Sequence, residues 1–163
     1  MTAQLAQDVL TACKAKGVMI ATAESCTGGL IAGALTDIAG SSAVFDRGFV
    51  TYSNAAKVDM LGVDANAIAD HGAVSPQVAA QMAMGALNRS QATVAISVTG
   101  VAGPGGTAAK PEGMVCFGIA TAKGHHTETM QFGAIGRHEV RRATVAHALS
   151  MMLAQVDSLS AKN

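Results

Sequence analysis

A chain of 163 residues, 50% of them apolar but only 3% aromatic and none Trp, fits one domain spanning 1–163, large enough to bury roughly two-thirds of the surface its unfolded form exposes. Eleven basic and eleven acidic residues cancel, which argues against a nucleic-acid or anionic-membrane partner and confines any phosphate contact to a local site. Cys13, Cys26 and Cys116 form neither an even set nor a metal-type spacing, so no disulfide framework and no metal site are expected; with no leader pattern and no run of about 20 apolar residues, a soluble cytoplasmic protein is expected.

Residues 3–16 place Leu5, Val9, Leu10 and Cys13 near one face, the spacing of an amphipathic helix ending at Gly17. A strand is predicted at 18–23, broken by S-C-T-G-G at 25–29, after which a helical pattern runs from Leu30 through Ile38. The β-rich stretch 44–52 precedes Ser53, a cap for a helix over 54–61, and Ser75 followed by Pro76 opens another helix to about Arg89. A buried strand is predicted at 93–99. The following 100–113 holds five glycines and two of the three prolines, a loop rather than a linker because too little chain follows for a second core. Residues 114–121 and 127–132 read as a hairpin around Lys123, Gly124 and His125, and the last element is a helix over 137–156. Strands separated by helices predict a three-layer α/β/α sandwich with a mixed sheet, the hairpin supplying the antiparallel member.

Three polar, glycine-bearing segments each follow a predicted strand: 23–29, 51–57 and 99–106. Ligands in open α/β sheets favour loops at the carboxyl ends of strands. In the first segment Ser25, Cys26, Thr27 and Gly28 lie at a helix amino terminus, where N–H groups attract an anion or a developing oxyanion; a plain N-cap with a glycine turn is the alternative. Cys26 competes as a nucleophile, but no neighbouring cation lowers its pKa and a buried structural thiol is the simpler reading. Lys57 is the only lysine between Lys16 and Lys110; it is either a solvated surface residue or, if buried beside Ser25, a base for the hydroxyl. Tyr52, the sole tyrosine, either relays a proton or packs as a half-buried strand residue. The loop at 100–106 matches neither G-K-[ST] nor G-x-G-x-x-G. Its backbone, with Gly100, Gly103 and Gly105, still suits one phosphate or a ribose, with Thr99 adding a hydroxyl. Arg137 and Arg141 share a helix face at i and i+4 and supply charge, whereas Arg142 reads as solvated. The five histidines show no ligand spacing.

Taken together, A-E-S-C-T-G-G, D-I-A-G-S-S at 37–42, F-D-R-G-F-V-T-Y-S-N-A-A-K at 45–57, H-G-A-V-S at 71–75, and T-G-V-A-G-P-G-G ahead of K-P-E-G at 110–113 resemble the CinA carboxy-terminal family over about residues 5–155. The resemblance implies a three-layer fold similar to anticodon-binding domains, self-association as a homodimer or higher oligomer, and hydrolysis of nicotinamide mononucleotide to nicotinate mononucleotide and ammonia without a cofactor or metal, in pyridine nucleotide recycling. It places the family's serine on Ser25, its tyrosine on Tyr52, its lysine on Lys57, and its substrate-holding elements on 99–106 and Arg137. The usual G-D-R before the last helix reads I-G-R at 135–137, so Arg141, one turn on, stands as the alternative phosphate ligand. The amino-terminal domain of longer members, with its pyrophosphatase chemistry, has no counterpart in this sequence.

Amide hydrolysis needs a nucleophile, a proton shuttle and an oxyanion site, and the three segments offer Ser25, Lys57 or Tyr52, and the amides around 26–28. Two other readings stand beside this one. A non-catalytic nucleotide-binding or protein-interaction module, linked to competence and the DNA damage response, would not need Ser25 and Lys57 in contact. The other is an amidase acting on a different small carboxamide.

Overall fold

The computed structural model describes residues 2–160. The elements run α1 (Thr2–Lys16), β1 (Ile20–Glu24), α2 (Leu30–Thr36), a 3-10 turn at Ser41–Ala43, β2 (Phe45–Val50), α3 (Asn54–Leu61), α4 (Ala65–His71), α5 (Pro76–Asn88), β3 (Val94–Gly100), β4 (Met114–Thr121), β5 (Gly124–Gln131) and α6 (Arg137–Asp157). The five strands form one sheet in the order β2-β1-β3-β4-β5. β1 lies parallel to both β2 and β3, while β4 and β5 are antiparallel. This is the mixed three-layer α/β arrangement expected from the sequence. No helix of the described residues is long and apolar enough to cross a membrane.

Alternation along the strands assigns the two faces. Ile20, Val94, Ile96, Val98, Val115 and Phe117 join α1, α2 and α6 in the larger core. Ala21, Ala23 and Ala95 face α5 in a second core with Val78, Met82 and Ala86. The small side chains on this second face set the layer spacing: a Cβ on Gly118 would lie 2.4 Å from the carbonyl oxygen of Ala79, and Ser97 Oγ donates to the same carbonyl. A chain poor in aromatics thus obtains dense packing by bringing helix and sheet backbones close together.

Local signals set the helix starts. Ser53 Oγ accepts from Ala56 N at 3.0 Å, and Ser75 Oγ accepts from Val78 N at 3.2 Å with Pro76 in the first turn. Two elements differ from expectation. α4, capped by Asp64, was not anticipated, because its seven residues contain no buried side chain and so carry no apolar period. β5 starts at Gly124 rather than Thr127; its first residues are exposed and polar, as an edge strand facing water permits.

The topology also fixes where chemistry can gather. β1, β2 and β3 are parallel, so their carboxyl ends lie along one edge of the sheet. From β1 the chain enters α2 on one face, and from neighbouring β2 it enters α3 to α5 on the other. Such a reversal opens a crevice at the strand ends.

Gly85 tests the close packing. A Cβ there would lie 2.0 Å from the Leu61 carbonyl oxygen, so Gly85→Ala is expected to lose more by overpacking, about 1–3 kcal/mol or more, than the roughly 1 kcal/mol that alanine gains in a helix. Calorimetry should show a fall of several degrees in Tm. Gly33→Ala, with nothing within 4 Å of its new Cβ, should leave Tm unchanged or raise it.

Candidate active site

β1 ends at Glu24, and the next residue still pairs with the sheet, Ser25 N donating to Val98 O at 3.1 Å. The chain then turns sharply. Gly28 N donates to Ser25 O at 3.0 Å, with Gly28 and Gly29 at φ +58° and +108°, where a side chain would be strained. Glu24 is buried and its carboxyl group closes the turn: Oε1 accepts from Thr27 Oγ1 and from Ile31 N at 2.9 Å, and Oε2 from Ala32 N at 3.0 Å. From the opposite side Arg141 donates through Nε to Cys26 O at 3.1 Å and through Nη2 to Thr27 O at 3.2 Å. The turn bearing Ser25 is therefore held by a carboxyl group on its amides and a guanidinium on its carbonyls.

This arrangement narrows the amides available to a ligand. The first turn of α2 spends Ile31 and Ala32 on Glu24, and Gly28 N is used within the turn. The Cys26 and Thr27 amides donate to no acceptor among the described residues, and Cys26 lies on the cavity wall.

Lys57 sits one turn into α3 and is 1% exposed. Its Nζ lies 2.9 Å from Ser25 Oγ, 2.8 Å from Thr51 O and 3.4 Å from Tyr52 O. No carboxylate pairs with it among the described residues. Burial therefore lowers its pKa below the usual lysine value. Nζ donates to all three oxygens, Ser25 Oγ, Thr51 O and Tyr52 O; loss of one proton would leave two N–H donors and one lone pair, enough to keep both carbonyls and to accept from the Ser25 hydroxyl.

These groups line a cavity of about 240 Å³. The serine turn contributes Ser25 and Cys26; the β2–α3 connection Tyr52, Asn54 and Lys57; the segment before α5 Ala73 and Val74; the end of β3 Thr99, Gly100 and Ala102; and α6 its first residue, Arg137. Arg137 crosses the mouth, Nη1 donating to Gly103 O at 2.7 Å and Nη2 to the Tyr52 hydroxyl at 2.9 Å. The Thr99 hydroxyl donates to Ala73 O at 2.9 Å, and Gly105 N donates to Glu112 Oε1 at 2.9 Å. A larger groove of about 390 Å³ between α2 and α6, lined by Leu30, Gly33, Ala34 and Val145 with Thr2, Asp37 and Arg142, holds no serine, cysteine, lysine or histidine.

Of the residues singled out in the sequence, Ser25, Cys26, Tyr52, Lys57, Thr99, Gly100 and Arg137 meet at this cavity. Thr27, Gly28, Gly103, Gly105 and Arg141 stand behind it, as supports of the turn and of the mouth. Tyr52 is 61% exposed, so it is not a half-buried strand residue. Sequence reasoning missed Glu24, Asn54, Ala73 and Val74. Glu24 and Asn54 lay inside quoted motifs, and 73–74 lay within H-G-A-V-S, where only the helix cap had been interpreted.

Cys26 is 6% exposed, and burial pushes its thiol up to about 12, which removes the thiolate that nucleophilic attack requires. Among the described residues no three metal-ligating side chains cluster.

The fold and cavity together define an α/β protein that presents a serine–lysine pair at the carboxyl ends of parallel strands. The chain belongs to the CinA C-terminal domain family, whose match covers residues 2–156. It is 50% identical over 153 residues to the nicotinamide-nucleotide amidohydrolase PncC of Escherichia coli K12, covering 93% of each chain, and 51% identical over 151 residues to the Enterobacter agglomerans protein of the same name, covering 92% of each. Among solved structures, the competence/damage inducible protein CihA of Agrobacterium tumefaciens superposes with a TM-score of 0.93 at 54% identity, covering 96% of each chain.

Burial of all three thiols gives a direct check. Cys13, Cys26 and Cys116 are buried and free, with pKa values raised by desolvation, Cys13 to about 11. A disulfide reagent at pH 8 should find no fast-reacting thiol in the folded protein and three after denaturation; rapid loss of activity on modification of Cys26 would contradict this picture.

Proposed function

We propose that the protein hydrolyses the carboxamide of nicotinamide mononucleotide to nicotinate mononucleotide and ammonia, with Ser25 as nucleophile and Lys57 as base. The observation that carries this reading is the 2.9 Å contact between Ser25 Oγ and the buried Lys57 Nζ. A binding module has no need to bury a lysine amine against a hydroxyl. The names of the Escherichia coli and Enterobacter relatives supply the substrate.

Lys57 takes the hydroxyl proton as Ser25 Oγ attacks the carboxamide carbon. The Cys26 amide, next in the chain, is the nearest candidate donor to the oxyanion. Collapse breaks the C–N bond, and the departing nitrogen receives a proton from Lys57 or from Tyr52. Water then attacks the acyl-enzyme, releasing the nicotinate nucleotide and restoring Ser25, so the reaction recycles the amide nucleotide as its acid. A cavity below the roughly 300–1,000 Å³ of sites for drug-sized ligands suits a planar ring amide, with ribose and phosphate directed toward the mouth at Arg137.

Ammonia release from nicotinamide mononucleotide is the defining assay. Ser25→Ala should abolish it with the fold intact, whereas Cys26→Ala should retain most of it. Lys57→Met should lower turnover by about 100-fold or more, and Lys57→Arg should not rescue it, because a guanidinium stays charged. An active Ser25→Ala, or near-normal turnover in Lys57→Met, would overturn the assignment.

The base acts only when neutral, so kcat/KM should rise with pH through the Lys57 pKa and level off above it. Desolvation lowers that pKa, which places the acidic limb below the ordinary lysine value of about 10.4. A limb centred at that ordinary value would mean a solvated ammonium in place of a buried base.

A further inference from the structure

We propose that Arg137 and Tyr52 form a latch across the cavity mouth that a phosphate group on the substrate opens, so that phosphorylated carboxamides are selected by release of the tyrosine hydroxyl as well as by binding. This rests on the reading of the reaction given above. The latch joins three distant segments: Arg137 begins α6, Tyr52 follows β2, and Gly103 lies in the loop after β3. The two terminal nitrogens of one guanidinium hold the other two segments together, at 2.7 Å to Gly103 O and 2.9 Å to the Tyr52 hydroxyl.

Both acceptors are neutral oxygens, and no carboxylate pairs with Arg137 among the described residues. Glu112 is engaged by the Gly105 amide, and Glu139 faces Arg142. A phosphate arriving at the mouth offers charged oxygens, whose hydrogen bonds are roughly twice as strong as those of neutral acceptors, and it meets a guanidinium edge through Nη1 and Nη2 together. Those are the nitrogens now on Gly103 and Tyr52. With equal numbers of acidic and basic residues in the chain, no diffuse field draws an anion in, so this edge, which makes no ion pair among the described residues although the Glu112 carboxyl group packs beside Gly103, is where a phosphate competes. Taking it frees a hydroxyl on an exposed side chain that lines the cavity, and the freed Tyr52 is then available to the departing nitrogen.

The chain holds a single tyrosine, so labelling the intact protein with 3-fluorotyrosine gives one fluorine resonance that reports on the latch alone. In labelled Ser25→Ala, which cannot turn substrate over, nicotinamide mononucleotide and inorganic phosphate should each shift that resonance saturably toward a common limit. Nicotinamide riboside, which has the ring and sugar but no phosphate, should leave it in place, and adding Arg137→Ala should remove the phosphate response. In unlabelled wild type, inorganic phosphate should raise kcat/KM for the riboside by about 10-fold or more, and Arg137→Ala should abolish the rise. The latch is overturned if the riboside moves the resonance as the nucleotide does, if neither phosphate nor nucleotide moves it, if the response survives in Arg137→Ala, or if phosphate fails to stimulate the riboside reaction. Ammonia release from the nucleotide separates the two claims: an immobile resonance in a protein that still deamidates sinks the latch and leaves the function standing, whereas no ammonia from wild type sinks the function.

Discussion

A buried amine nitrogen with three oxygen atoms around it, and no carboxylate in ion-pair contact among the described residues, is the constraint on which the site depends. Burying an ammonium without a counter-charge is costly, which lowers the Lys57 pKa, while three oxygens within hydrogen-bond distance hold Nζ in place. Two of the partners are backbone carbonyls of 51 and 52, which ties the lysine to the end of β2. The third is the Ser25 hydroxyl at the end of β1. Parallel pairing of β1 and β2, from Ile20↔Phe45 to Glu24↔Val50, is what brings these two strand ends together.

The serine turn shows how a helix terminus is reserved for structure. An unoccupied amino terminus attracts anions, yet Glu24 already caps α2 from within the chain. In the proposed reaction the substrate phosphate is met across the cavity by Arg137 instead. Division of labour between the two arginines follows from helix position: Arg137, the first residue of α6, reaches over the mouth, while Arg141, one turn further in, passes behind the serine turn to its carbonyls.

Features governed by neighbours in the chain were legible in the sequence. Ser53, Ser75 with Pro76, and the glycines of 25–29 and 100–106 mark turns and caps within a few residues of themselves, and three such segments after three strands pointed to one edge of a sheet. What escaped depends on tertiary geometry. The i,i+4 spacing put Arg137 and Arg141 on one face but held no information on where their long side chains end. Glu24 bonds to amides seven and eight residues on, a relation fixed by the turn and not by any local period. α4 was invisible because it is short and only Ala67 and Ile68 pack, half-buried, against the core.

The small-residue layer between α5 and the sheet limits how this protein can vary. Ala79, opposite Gly118, lies in the first turn of α5, and the two residues just before its Ser75 cap, Ala73 and Val74, form one wall of the cavity. Added volume at Gly118 or Ser97 would lift the start of that helix and carry the wall with it. Residues remote from Ser25 are thus coupled to the cavity through the thickness of a layer, so drift in this part of the core is filtered by the dimensions of the cavity as well as by the stability of the fold.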